Sequence, residues 1–150
     1  MTIYLDVCCL NHPFDDQSQY RVRLEAEAVL SILEMAVAGK LKLVNSDIID
    51  DELSQMPDDE RREKIELLLD ASSKHVSLTT NIARRATAVH KWNITPLDAL
   101  HLAAAEAAHA DYFLTIDDYL LPRALRHARE RKVKVENPAK WLIQESSDED

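Results

Sequence analysis

Short apolar runs alternate with longer stretches whose apolar positions recur every three or four residues, a pattern that predicts strands separated by helices. Strands are expected at residues 2–6, 41–45, 75–78, 112–116 and 133–136, the first four with apolar stretches too short to be independent helices. Helices are expected over 19–38, from 47 to a stop before Pro57, over 58–73 and 81–91, from Thr95 to about 110, and over 119–131. In the first, Leu24, Ala28, Ile32 and Met35 form the apolar stripe, Glu25, Glu27 and Glu34 lie off it, and Gly39 follows as the C′ residue. Thr95-Pro96-Leu97-Asp98 reads as a helix start, with Thr as N-cap, Pro at the first helical position and Asp at capping-box spacing. Strands alternating with helices predict an α/β fold with a parallel sheet covered by helices.

No repeat or linker interrupts the chain, so one domain is expected over residues 1–144, followed by a frayed acidic tail over 145–150. No apolar run reaches membrane-span length, and the N-terminus lacks a basic-then-apolar signal segment, which makes the cytoplasm the expected compartment and a membrane partner unexpected. Cys8 and Cys9 are adjacent, a poor arrangement for a disulfide and no zinc signature, and fit reduced thiols.

Two features narrow the chemistry. The single glycine, Gly39, excludes a P-loop or dinucleotide fingerprint, which need several glycines to bring backbone N–H groups against phosphate. Phosphate must then be met by side chains or metal. The net charge of −9, from 18 basic and 27 acidic residues, argues against nonspecific nucleic-acid binding unless the acids themselves serve a purpose.

In an open parallel sheet, ligands bind outside the carboxyl ends of the strands. Asp6 ends the first expected strand, Asp117 and Asp118 follow the fourth, and Asp47 lies just past the second. Glu52 falls in the helix after the second strand, and Asp98 in the first turn of the helix before the fourth. If these turns converge, Asp6, Glu52, Asp98 and Asp117 crowd one site. Crowded carboxylates must take up protons or a cation. Hard oxygen ligands, with no thiolate or imidazole partner in these motifs, suit Mg2+ or Mn2+ rather than zinc. Each acid also has a plain structural role open to it: Asp98 as a capping residue, Asp117 as an N-cap, Glu52 as a solvated helical acid.

The motifs Ile3-Tyr4-Leu5-Asp6, Ser46-Asp47-Ile48-Ile49-Asp50-Asp51-Glu52-Leu53, Pro96-Leu97-Asp98-Ala99-Leu100-His101-Leu102-Ala103 and Thr115-Ile116-Asp117-Asp118 resemble, in order and spacing, the PIN-domain ribonucleases, and among them the VapC-like toxins. The resemblance spans residues 2 to about 136. It implies a three-layer α/β/α sandwich with a central, mainly parallel sheet of about five strands. It also implies a Mg2+- or Mn2+-dependent endoribonuclease that leaves a 5′-phosphate and a 3′-hydroxyl. Asp6, Glu52, Asp98 and Asp117 match the family's acidic quartet, with Asp50 and Asp51 as rivals of Glu52. Thr115 matches a hydroxyl position two residues before the last acid, and Asp118 an auxiliary one. The family usually carries Thr or Ser, then Asn or Ser, after the first acid; here Val7 and Cys8 stand there. As partners the resemblance implies an RNA substrate, a small antitoxin and a second copy of the chain.

Arg123, Arg126, His127, Arg129, Arg131 and Lys132 concentrate positive charge after Asp117, and Arg123 and Arg126 are the candidates for guiding an RNA backbone. His12 is read as shaping its loop, and His101 and His109 as packing or surface residues. A catalytically silent module that binds protein or RNA is the competing function. A receiver-like phospho-acceptor domain would also gather acids at strand ends, but the motif order and the 96–105 helix do not suit it.

Overall fold

The computed structural model describes residues 1–148. Five strands, β1 (Thr2–Leu5), β2 (Lys42–Ser46), β3 (Lys74–Val76), β4 (Tyr112–Leu114) and β5 (Lys134–Glu136), form one sheet in the order β3-β2-β1-β4-β5, every pairing parallel. Each coincides with an expected strand to within one or two residues at either end. The helices are α1 (Val7–Asn11), α2 (Tyr20–Val37), α3 (Asp47–Ser54), α4 (Asp59–Leu69), α5 (Thr80–His90), α6 (Pro96–Ala107), α7 (Leu120–Leu125) and α8 (Pro138–Asp148), with a 3-10 turn at His12–Phe14. They flank the sheet, with α2 against α8 and α5 against α6.

The central strand explains the apolar core. In β1, Ile3, Tyr4 and Leu5 are all at most 1% exposed, because a parallel strand covered on both faces has no solvent side. The chain steps outward from β1 through β2 to β3, then returns to the other side of β1 with β4 and β5. That reversal makes the β1/β4 boundary a topological switch point, where neighbouring connections leave in opposite directions and open a crevice.

Local sequence sets the helix ends. Thr95 Oγ1 accepts the Asp98 N–H and Pro96 occupies the first turn of α6. Ser46, Asp58 and Thr79 cap α3, α4 and α5 in the same way. At the end of α2, Gly39 has φ +76°, with Gly39 N–H donated to Ala36 O and Lys40 N–H to Met35 O, the Schellman arrangement.

Three expectations are corrected, and one further helix is added. Glu25 belongs to the buried face of α2, with Ala28, Val29 and Ile32, while Leu24 is exposed. Glu25 accepts Asn137 Nδ2–H at 2.6 Å and lies 3.4 Å from Arg21 Nε and 3.3 Å from His12 Nε2, which compensates its burial. The expected helix over 119–131 is only α7, because Arg131 folds back to donate to Ala124 O and Val133 O and closes the helix end. Val7–Asn11, an apolar run continuous with β1, turns into a helix because Cys9 and Leu10 donate their N–H groups to Asp6 O. Residues 145–148 of the expected tail continue α8, and the remaining two lie outside the described residues.

Candidate active site at the switch point

Asp6 stands where β1 ends and α1 begins, 5% exposed. Its N–H donates to Leu114 O of the neighbouring β4, which sets the backbones of residues 6 and 115 side by side. Thr115, fully buried, donates Oγ1–H to Asp6 Oδ2 at 2.9 Å. The same oxygen of Thr115 accepts the Asp117 N–H at 3.1 Å, so one hydroxyl positions two of the expected acids. Cys8 Sγ donates to Asp6 Oδ2 at 3.3 Å, a thiol near the place where the family pattern has polar side chains. Asp117 Oδ1 accepts the N–H groups of Tyr119 and Leu120, which fixes that carboxylate at the mouth of α7.

Glu52 reaches the site from α3. Its carboxylate lies 2.8 Å from Nε2 of His101, a residue of α6 with no exposed surface. His101 Nδ1 is 2.7 Å from the Tyr4 hydroxyl, which is 2.7 Å from Ser46 Oγ, which in turn accepts the Ile49 N–H. Burial pushes the Tyr4 phenol well above its ordinary value, so it remains a hydroxyl donor. Asp50 turns elsewhere: it accepts from Asn45 Nδ2 and lies 2.9 Å from His75 Nε2. Asp51 is exposed. Of the three rivals, Glu52 is the one tied to the β1–α6 interior.

Asp98 sits in the first turn of α6, partly buried. Burial first, and then the charges of Asp6 and Asp117, raise its carboxyl from 3.8 to about 6. Asp6 is raised as well, chiefly by burial with Glu52 adding to it, against the opposing pulls of His101, Thr115 and Cys8. The acids therefore sense one another across four different elements. Among the described residues no Lys or Arg pairs with Asp6, Glu52, Asp98 or Asp117. Carboxylates partly desolvated, mutually repelling and without a cationic partner suit a hard divalent cation by the chemistry of their donors.

The remaining candidates fall less close. Asp118 is exposed and held in a bidentate pair by Arg21, at 2.7 and 3.1 Å, rather than by any of the quartet. Arg123 donates to Tyr119 O and lays its guanidinium 3.4 Å from the Tyr119 ring centroid. Arg126 is exposed on the turn that follows α7. Among the described residues, the set that brings three ligand atoms within 4.8 Å of one another is Asp47 and Asp50 of α3 with His75 of β3, half-exposed, and not the quartet. Imidazoles thus do stand beside acids of these motifs, contrary to the sequence expectation. His101 is the residue that reading missed. Its signal was weak: three residues after Asp98, it shares that residue's helical face, but nothing local says that it is buried.

The sequence matches the family profile described as PIN domain over residues 3–124. No curated protein matches it significantly. Among solved structures, it is similar to a chain of VapBC2 from Rickettsia felis bound to a DNA fragment from their promoter, with 15% identity and a TM-score of 0.60 over 91% of this chain and 98% of that one. It is similar also to a chain of VapBC-1 from nontypeable Haemophilus influenzae, with 17% identity and a TM-score of 0.58 over 92% of this chain and 98% of that one. At that identity the likeness is one of fold.

Proposed function

Since this chain belongs to the PIN-domain family, we propose that it is a divalent-metal-dependent endoribonuclease, the toxin of a toxin–antitoxin pair. What supports the reading is that Asp6 and Asp117 are tied to one hydroxyl, that of Thr115, at the sheet's switch point, and that among the described residues no Lys or Arg pairs with Asp6, Glu52, Asp98 or Asp117. Asp6, Asp98, Asp117 and Glu52 would hold Mg2+ or Mn2+, which when bound would lower the pKa of a water and neutralise charge on phosphoryl and leaving oxygens. Thr115 keeps Asp6 and the Asp117 backbone in register, and the Cys8 thiol adds a second donor to Asp6. The arrangement suits hydrolysis of an RNA phosphodiester that leaves a 5′-phosphate and a 3′-hydroxyl. Arg123 in α7 and Arg126 at its C-terminal end are the side chains offered to the RNA backbone. Asp118, occupied by Arg21, serves at most as an auxiliary.

Partners follow from the same reading. Both similar structures are of VapBC assemblies, one of them on promoter DNA, which supports a small cognate antitoxin here. An apolar groove between α2 and α4, lined by Leu30, Leu33, Val37, Leu67, Leu68 and Ala71, gives such a protein an apolar seat. A homodimer acting in the cytoplasm completes the proposal; no described helix is long and apolar enough to cross a membrane.

The test is incubation of purified protein, freed of any bound antitoxin, with mixed RNA, with Mg2+ or Mn2+, with chelator, and beside Asp98→Asn. Metal-dependent cleavage lost in the variant is expected. Cleavage indifferent to both chelator and substitution would sink the reading. Absence of any metal-dependent cleavage would favour a silent PIN-fold binding module, a reading to which the Val7-Cys8 departure and the net charge of −9 lend weight.

A further inference from the structure

We propose that His101 is a positioning residue, which delivers its Nε2–H to Glu52 and thereby holds that carboxylate in the orientation that a metal ion at the site requires. The inference rests on the nuclease reading above and assigns a role to a side chain outside the acidic quartet.

The four acids are not equally constrained. Asp6 is held by Thr115 and Cys8, and Asp117 by two backbone N–H groups. Asp98 has a short side chain fixed to the first turn of α6. Glu52 has the longest side chain, is about a third exposed (31%), and has His101 as its hydrogen-bond partner among the described residues. A free glutamate retains side-chain rotamer freedom, much of which is lost when it binds a metal. His101 removes part of that freedom in advance.

The proton arrangement can be deduced from the chain of contacts. Ser46 Oγ already accepts the Ile49 N–H, so its own hydrogen is available for Tyr4 Oη. Tyr4 then donates to His101 Nδ1, and His101 is left with its proton on Nε2, facing Glu52. Every hydrogen along this chain of contacts then has an acceptor, the last of them the Glu52 carboxylate. The reverse order would strand the Ser46 hydrogen in a fully buried position, and with a neutral ring it would set a bare Nε2 lone pair against a carboxylate. Packing fixes the ring as well as its protons. Tyr4 stands edge-on to His101 with centroids 5.8 Å apart, and Tyr4 itself stacks on Phe113 of β4. Because His101 has no exposed surface and both nitrogens are engaged, it is not itself offered as a ligand.

The experiment is Mn2+ affinity by electron paramagnetic resonance, with thermal unfolding as the folding control, on wild type, His101→Gln, His101→Asn, Glu52→Gln and Asp98→Asn. The amide nitrogen of Gln reaches the place of Nε2, whereas that of Asn reaches the place of Nδ1. His101→Asn is expected to lose about 10–100-fold in Mn2+ affinity, as removal of a partner that orients a metal ligand does, and His101→Gln distinctly less. In the Glu52→Gln background neither change should add a further loss, since His101 acts through Glu52. Equal losses in Gln and Asn, or losses that add in that background, would overturn the role. Should His101→Asn fail to fold, Tyr4→Phe removes the donor to Nδ1 and leaves the imidazole in place. The 15N spectrum of His101 should then depart from the Nε2–H form and Mn2+ affinity should fall; an unchanged affinity overturns the proposal. Wild-type protein that binds no Mn2+ would overturn both this role and the nuclease reading. Binding lost in Asp98→Asn but indifferent to His101 would overturn this role alone.

Discussion

Thr115 donates its hydroxyl to Asp6 Oδ2 at 2.9 Å, joining residues 109 positions apart at the ends of two adjacent parallel strands. The contact depends on the β1–β4 register, which pairs Leu5 with Leu114 and so brings the next residue of each strand together at the sheet edge. It also makes Thr115 the first place to perturb the site without touching an acid.

Thr115→Val conserves shape and removes the hydroxyl that Asp6 accepts from and that Asp117 N–H donates to. Mn2+ affinity should fall about 10-fold or more, with the thermal midpoint lowered only modestly. Titration calorimetry of the variant decides it; unchanged affinity would show that Asp6 needs no such anchor.

Asp98 gives the site a pH dependence with a defined sign. Its carboxyl is raised from 3.8 to about 6 in the folded chain, so the folded state favours the protonated form. Stability from this group in the metal-free protein is full below the ordinary value and is lost as pH rises through about 6. Metal binding needs the ionised form and runs the other way, weakening as pH falls through the same range. Urea unfolding of metal-free protein at about pH 5 and about pH 7 should show Asp98→Asn gaining stability relative to wild type at the higher pH. A gain that is the same at both would mean that Asp98 carries no unfavourable charge.

Away from the site, Arg85 pairs in bidentate fashion with Glu106, whose side chain is 6% exposed and also accepts the Lys132 N–H. Arg85→Ala leaves a buried carboxylate with a single backbone donor. A loss of about 1–3 kcal/mol in unfolding free energy is expected from urea melts, with Mn2+ affinity unaltered. A loss of metal affinity larger than the stability change would tie this pair to the site.

Asp118 offers the contrasting case. Exposed and bound by Arg21, it should be dispensable for Mn2+ binding, and Asp118→Asn should change affinity by less than Thr115→Val does. If the order were reversed, Asp118 would join the metal-holding group, and its pairing with Arg21 would have to break on metal binding.

The sequence by itself determined much of this molecule because much of it is written locally. Alternation and run length announce the five strands, the Thr95-Pro96 pair announces the start of α6, and Gly39 announces the end of α2. A strand end is also legible, which is why Asp6 and Asp117 could be placed without coordinates. What periodicity cannot report is which side of a helix meets the core. Glu25 reads as solvated and is buried because Asn137, Arg21 and His12 converge on it from other parts of the chain. Helix α7 stops short where Arg131, seven residues on, takes the Ala124 carbonyl. Glu52, Asp50 and Asp51 are equivalent as letters. Only the packing of α3 against α6 separates them, turning Glu52 towards His101 and Asp50 towards His75. Hydrogen-bond partners far apart in sequence are chosen by strand order and helix packing, and those are properties of the whole fold.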